Sequence, residues 1–303
     1  MRNLFLTDTP IPAGYEYLLD ARMPLASLIL SIVGLVLILG SLAAMIIVLA
    51  KKHKSSFLTI FLGVFIYGIF NILLVYFLTA FAPSKNVVVQ LIYGALIASA
   101  IPLLGRILVI KLCSQQYYKL GDHFGYGVGN AIMKSVMSII SLATPIVNYC
   151  YINKYGIAYF FTSDMESDAA LEMAKSIVTV LEYDYVQCVL MAIVTISVMV
   201  YGLAITLPIY AAFTGKKSKG WFGFVFGTSF LITLGEGMFN NDVLVIPSII
   251  IVAAVAALSV YFALKLYKEV VNDKEEDKPK KESSDISKNA HVKVPRFKDL
   301  DKL

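Results

Sequence analysis

Long apolar runs separated by short polar segments make up most of this chain. A membrane-spanning helix needs roughly 20 consecutive apolar residues, and the runs in this chain reach or approach that length. The pattern therefore predicts an all-α fold, a polytopic membrane bundle of about seven transmembrane helices. The predicted spans are 24–50, 57–81, 87–112, a glycine-rich stretch 120–134 that continues to about 150, 186–213, 221–239 and 244–266.

Polar segments divide the chain into three parts. Residues 1–23 are mixed and turn-rich, and we predict that they form an extracytoplasmic segment. Residues 24–268 contain the transmembrane bundle, interrupted at 153–183 by a polar insertion in which helical spacing of apolar residues predicts an extracytoplasmic amphipathic helix. Residues 269–303 are highly charged, and we predict a disordered cytoplasmic tail because such a segment buries too little apolar surface to fold alone.

Basic residues are concentrated in alternate loops. Clusters at 51–54 and 216–219, together with Lys119 before the fourth span, fall on one side of a seven-span bundle. The opposite side carries scattered lysines and the acidic run 164–168. Because cytoplasmic loops of membrane proteins carry an excess of Lys and Arg, we predict an external N-terminus and a cytoplasmic C-terminus. The expected location is the cytoplasmic (inner) membrane of a bacterium.

Composition narrows the functional classes. The 303 residues are 58% hydrophobic and 16% charged, whereas a soluble domain carries about 25% charged residues. The net charge of +5 is spread over loops that flank the membrane, so we expect contacts with membrane lipid and no nucleic-acid partner. Three cysteines and three histidines show no disulfide or metal-ligand spacing, and no nucleotide-binding or hydrolase motif occurs. We therefore expect no cofactor and no metal.

Three glycines at a spacing of four residues mark the start of the fourth span. Gly121, Gly125 and Gly129 share one face if this stretch is helical, with Asn130 and Lys134 beside them. Small residues at this spacing let membrane helices approach each other closely. The same smooth face would also suit a binding groove, with the amide and the ammonium group as its polar contacts.

Ionisable residues within predicted spans are costly in lipid and are candidate functional groups. Arg106 lies near the cytoplasmic end of the third span, where snorkelling to lipid phosphates is an equal alternative. Lys134 lies near the middle of the fourth span. Glu236 near the outer end of the sixth span and Glu182 at the outer mouth of the fifth are candidate intramembrane acids. A pair between Lys134 and Glu236 is compatible with this placement.

Two short motifs carry a family resemblance. Residues 104–106 read Leu-Gly-Arg, and residues 125–129 at the start of the next span read Gly-Tyr-Gly-Val-Gly. In this order, within a layout covering about 87–266, they resemble the YhfC-like family of bacterial intramembrane metalloproteases. Where that family carries a histidine and a following glutamate, this chain has Val128 and Ile132. The resemblance implies a protease-like scaffold without the groups that metal-water and general-base chemistry require.

These features lead to one main hypothesis and two alternatives. The main hypothesis is a non-catalytic, protease-like scaffold that binds a membrane protein, a peptide or a lipid in the glycine groove, with Arg106 nearby. The first alternative is an active intramembrane metalloprotease with a non-standard site that uses His123, Glu182 and Glu236. The second is a small transporter or channel with Lys134 and Glu236 on its path.

Overall fold

The computed structural model describes residues 11–52, 55–112, 119–162, 165–239 and 244–276. Within these ranges the chain consists of helices and the turns between them, without a strand. Seven helices are long and apolar enough to cross a membrane, which confirms the predicted fold class and number of spans. They are Leu25–Val48, Phe57–Thr79, Val87–Lys111, Leu120–Tyr155, Val186–Phe213, Gly220–Phe239 and Val245–Glu269.

Most spans are single α-helices, but the second contains a π-helix and the fifth is divided in two. The helix predicted in the polar insertion is present as α6, which packs through Ala170, Ala174 and Ile177. The elements are, in chain order, a 3-10 helix Glu16–Asp20, α1 Leu25–Lys52, α2 Phe57–Ile66, the π-helix Tyr67–Leu74, α3 Val75–Thr79, α4 Val87–Leu112, α5 Leu120–Tyr155, a 3-10 helix Ile157–Phe160, α6 Ser167–Glu182, α7 Val186–Ala204, α8 Thr206–Phe213, α9 Gly220–Phe239 and α10 Val245–Glu276.

Helix α5 lies at the centre of the bundle and packs against α1, α2, α7 and α8. Helix α4 packs on α9, α9 packs on α10, and α10 packs on α7. The second span, α4, α5, the fifth span and α9 surround a common interior. Helices α1 and α10 pack against the outside of this group, so five spans define the interior and two support it.

The two ends of the bundle differ in charge. The end that we call lysine-rich joins α1 to α2, α4 to α5 and α8 to α9, and it carries Lys119 and Lys217. There, Lys217 forms an ion pair of 2.8 Å with Glu269 on α10. At the opposite end, Asn153 Nδ2 donates a hydrogen bond of 3.0 Å to Met23 O, and Met23 N donates one of 3.0 Å to Asn153 Oδ1. These two bonds tie α5 to the segment that precedes α1.

Large apolar side chains cover the outer faces of the spans. Such a surface would be costly in water but matches the hydrocarbon of a bilayer. Several buried hydroxyls bond to their own helices, as where Ser31 Oγ donates to Ser27 O at 2.8 Å. Exposed apolar residues on different spans include Val36, Leu73, Leu104, Ile140 and Ile250.

Helix α5 is longer than the predicted fourth span. It continues to Tyr155, and Gly156 then ends it with a φ of +79°, a conformation that residues with a Cβ rarely adopt. The polar insertion therefore begins at residue 156 and not at 153.

Helix α10 likewise extends beyond the predicted seventh span. Residues 269–276, predicted to belong to a disordered tail, are helical, and Glu269 is held by its ion pair. The remainder of the predicted tail, 277–303, and the first ten residues of the predicted N-terminal segment lie outside the described residues.

The fifth span is divided near a proline. Pro208 has no N–H to donate to the carbonyl of Ala204, and its ring crowds that carbonyl. Helix α7 ends at Ala204, and α8 begins at Thr206. Pro102 and Pro145, in contrast, lie inside α4 and α5 without ending them.

Candidate functional site

Lys134 on α5 and Glu236 on α9 form an ion pair inside the bundle. The adjacent Ser135 Oγ donates a hydrogen bond of 3.2 Å to Met199 Sδ. Met199 is in the middle of the 28-residue fifth span, so Lys134 lies near the middle of the membrane. Glu236 lies nearer the end of α9, three residues before Phe239. Opposite charges at this depth offset each other's loss of hydration. The structure thus brings together two groups that the sequence placed on separate spans.

The ion pair lies where two cavities meet. A smaller cavity of about 120 Å³ extends from the pair toward the lysine-rich end. A larger cavity of about 410 Å³ extends from the pair toward the opposite end. The Lys134 and Glu236 side chains are 25% and 22% exposed, because they face this space. The residues that line both cavities are Asn71, Ala98, Lys134, Thr233 and Glu236.

Polar side chains line both cavities on either side of the pair. Ser138 Oγ and Thr195 Oγ1 lie 2.9 Å apart in the wall of the larger cavity. In the smaller cavity, Asn130 Oδ1 is buried and has no hydrogen-bond partner among the described residues. A buried amide oxygen of this kind is an acceptor that a water or a ligand can satisfy. The other polar residues of the walls are Tyr67, Ser99, Arg106, Tyr201, Ser229 and Ser141.

Three departures from regular α-helix surround the smaller cavity. The π-helix supplies Tyr67 and Asn71, α4 supplies Pro102, and the break between α7 and α8 supplies Ile205. Irregular backbone at membrane depth is tolerated where it is buried in protein or lines a water-filled cavity. π-Helical turns also occur frequently at functional sites. The irregular segments of backbone and the ion pair therefore line the same cavity.

Arg106 lies inside the bundle and does not snorkel. Its side chain is 3% exposed, and its Nη2 donates hydrogen bonds to Thr206 Oγ1 at 2.8 Å and to His123 O at 3.4 Å. The guanidinium carbon lies 5.0 Å from the ring centroid of Tyr126, a cation–π distance. These contacts join α4, α5 and α8 at the base of the smaller cavity, whose wall includes Arg106.

The glycine face of α5 is filled by α2. A Cβ added at Gly129 would lie 2.8 Å from Gly63 Cα, and one added at Gly125 would lie 3.0 Å from Ser55 Cβ. Ser56 N donates a hydrogen bond of 3.4 Å to Asp122 Oδ1 at the same contact. The predicted groove is therefore a close helix–helix contact, and no partner can enter it while α2 is in place.

The other predicted groove residues occupy different positions. Gly121 lies in the first turn of α5 and is half-buried. Asn130 and Lys134 face the cavities and not the contact with α2. The polar groups and the glycines, which the sequence placed together, thus belong to two separate features of α5.

Glu182 is not an intramembrane acid. It is the last residue of α6, it is exposed, and it lies outside the seven spans. The amphipathic helix α6 ends at Glu182, and this residue is exposed. Its closeness to the fifth span in sequence therefore does not place it in the membrane.

The residues of the metalloprotease alternative are far apart. His123 lies at the lysine-rich start of α5, whereas the α6 helix that ends in Glu182 packs with Ile152 near the other end of α5. At 1.5 Å per residue, His123 and Ile152 are separated by about 40 Å. Among the described residues, no group of three or more His, Cys, Asp or Glu side chains could hold a metal ion.

Tyr67 and Asn71 line the cavities, although their positions in the sequence do not mark them as site residues. Both come from the π-helix, which has no signature in the apolar pattern of the second span. An amide within an otherwise apolar run was the only signal available for Asn71. Thr206 could not be recognised from the sequence either, because a hydroxyl in a membrane helix usually bonds to its own backbone.

We expect the effects of replacing Lys134 and Glu236 on the free energy of unfolding to depend on each other. Replacement of one partner, in Lys134→Met or Glu236→Gln, leaves a buried charge without its counter-ion and should lower the free energy of unfolding by about 3 kcal/mol. The double variant Lys134→Met/Glu236→Leu removes both charges and should unfold within about 1 kcal/mol of the parent. Denaturant titration in mixed micelles measures all three. Equal losses in the double and single variants would contradict the coupling.

The glycine contact gives a second expectation. Gly129→Ala places a methyl group against the α2 backbone and should lower the free energy of unfolding by about 1–3 kcal/mol. Gly40→Ala on α1 meets no atom within 4 Å and is the matched control, which should be neutral or slightly stabilising. Thermal unfolding midpoints of the two purified variants test this, and equal midpoints would rule out the close contact.

No family model, curated protein or solved structure matches this chain. The resemblance to the YhfC-like family stays a prediction, based on residues 104–106 and 125–129. What the structure itself supports is a helical bundle with seven spans of the kind found in multi-pass membrane proteins.

Proposed function

We propose that this protein moves a small polar solute across the membrane, with the Lys134–Glu236 pair as the gate of the path. The observation that carries the proposal is the position of the pair between two cavities that extend toward opposite ends of the bundle. While the pair is closed, it separates the cavities. When Lys134 and Glu236 part, the two spaces become one path lined by amide and hydroxyl groups.

The irregular helices support this proposal. Transporters commonly build their binding sites near the bilayer midplane from interrupted helices. Here the π-helix, Pro102 and the break at Ile205 meet at one cavity. Each departs from the regular hydrogen-bond ladder of an α-helix, and each is therefore a position where a span can bend.

Partner binding through the glycine face is the weaker proposal. A partner helix would first have to displace α2 from Gly125 and Gly129. An intramembrane metalloprotease would require His123, Glu182 and Glu236 to converge from different levels of the bundle. Neither requirement applies to the solute path, which uses residues already in place.

The proposed setting is the cytoplasmic membrane, with the lysine-rich end in the cytoplasm. The lysines near Lys51 and Lys217 favour that side. The smaller cavity would then extend toward the cytoplasm, with Arg106 at its base, and the larger cavity would extend toward the exterior.

Solute flux tests the proposed function. Proteoliposomes containing the full chain should pass at least one of four labelled probes, Rb⁺, acetate, alanine or glycerol, faster than empty liposomes. Ala98→Phe should abolish that flux, because Ala98 lines both cavities and a phenyl ring there would block their junction without removing a charge.

Lys154→Met is the control for this experiment. It removes an exposed lysine from the same helix as Lys134, near the end of α5, and should leave the flux unchanged. If no probe passes faster than through empty liposomes, the proposed function is wrong.

Thiol labelling tests the orientation. In a variant whose cysteines are replaced, Ser84→Cys in the turn before α4 should react with a membrane-impermeant maleimide on intact cells. Ser218→Cys in the turn before α9 should react only after lysis, because it lies at the lysine-rich end. The reverse labelling pattern would invert the proposed topology.

A further inference from the structure

We propose that the solute is a small zwitterion, with one carboxylate and one ammonium group, of the size of a small amino acid. This inference rests on the proposed function and names the substrate class of the same site. It follows from the charges of the gate, the acceptors and donors around it, and the volume of the adjoining cavity.

The charges of the gate restrict what can open it. Lys134 and Glu236 neutralise each other when the site is closed. A solute that separates them leaves two charges inside the bundle, each of which needs a new partner. A cation can replace Lys134 at Glu236, but it leaves Lys134 unpaired, and an anion leaves Glu236 unpaired. A zwitterion pairs with both at once and keeps the site neutral.

Uncharged groups around the pair match the two ends of such a solute. Asn130 Oδ1, which has no hydrogen-bond partner among the described residues, is an acceptor one helical turn from Lys134. It can receive an ammonium N–H in addition to the Glu236 carboxylate. The hydroxyls of Ser229 and Thr233 add further acceptor oxygens to the same walls. The Tyr67 hydroxyl adds a donor that can reach a carboxylate beside Lys134.

The smaller cavity limits the size of the solute. Its volume is about 120 Å³. An apolar protein cavity of about 150 Å³ holds benzene, which has six heavy atoms. The smaller cavity should therefore hold about five heavy atoms by the same measure. The smallest amino acids, with about five or six heavy atoms, are close to that size, and Ala131, Met199 and Ile232 supply an apolar wall for a short aliphatic side chain such as that of alanine.

Binding to the purified full chain tests the substrate class. Alanine should raise the thermal unfolding midpoint in detergent, and it should half-saturate this effect at a concentration at least about tenfold lower than either propionate or ethylamine. These two probes each carry one of alanine's two charges on a similar carbon skeleton. If either one acts at the same concentration as alanine, or if alanine has no effect, the zwitterion inference is overturned.

Two double variants locate the binding at the gate. The exchange Lys134→Glu/Glu236→Lys keeps an ion pair and should keep the preference for alanine, since a zwitterion can bind in the reversed orientation. Lys134→Met/Glu236→Leu keeps the packing without the charges and should bind alanine at least about tenfold more weakly. Unchanged alanine binding in this apolar variant would overturn the inference.

The two proposals fail in different ways. If the proteoliposomes pass Rb⁺, acetate or glycerol but the chain does not bind alanine, the substrate class is wrong and the path remains. If no probe crosses the proteoliposome membrane faster than the membrane of empty liposomes, the proposed solute path is wrong.

Discussion

Lys134 and Glu236 neutralise each other at the centre of a bundle whose outer faces are apolar. In a medium of low dielectric constant, neither charge is tolerated without the other. Their attraction therefore holds α5 and α9 at a fixed separation across the interior. Amide and hydroxyl groups gather beside the pair, and the remaining polar residues of the interior mostly bond to their own backbone. The arrangement concentrates the polarity of the membrane-spanning part in one place.

Close packing of α2 on α5 supports that arrangement. Gly63, Gly125 and Gly129 allow the two backbones to approach to a distance that side chains would prevent. The π-helix follows directly after this contact and supplies Tyr67 and Asn71 to the cavities. The glycines thus act on the site indirectly, by setting the position of the second span.

Much of the fold could be predicted from the apolar pattern, because membrane spans are long and their backbone bonds are local. The number of spans, the break near Pro208 and the helix within the insertion all follow from residue type and spacing. The interior could not be predicted in the same way. The sequence shows that Gly129 and Lys134 are close along α5, but it does not show that one faces α2 and the other faces Glu236. That distinction depends on how seven helices are arranged around one another.

The position of Arg106 inside the bundle could not be predicted from the sequence either. Its distance from the end of the span allowed a lipid-facing position, whereas Thr206 and Tyr126 hold it inside. Both partners are more distant in sequence than any local pattern can reveal. Functional residues in such a bundle are identified by the faces they share, and the faces are decided by packing.

The length of α5 has a consequence for how the protein responds to its lipid. Its 36 residues extend about 54 Å at 1.5 Å per residue, whereas the hydrocarbon layer of a bilayer is about 30 Å thick. The helix must therefore lean or protrude, and its lean depends on the thickness of the surrounding membrane. Asn153 ties one end of the helix to the segment before α1, and Arg106 ties the other end to α4 and α8. Any lean of α5 is therefore shared by the helices bonded to its two ends.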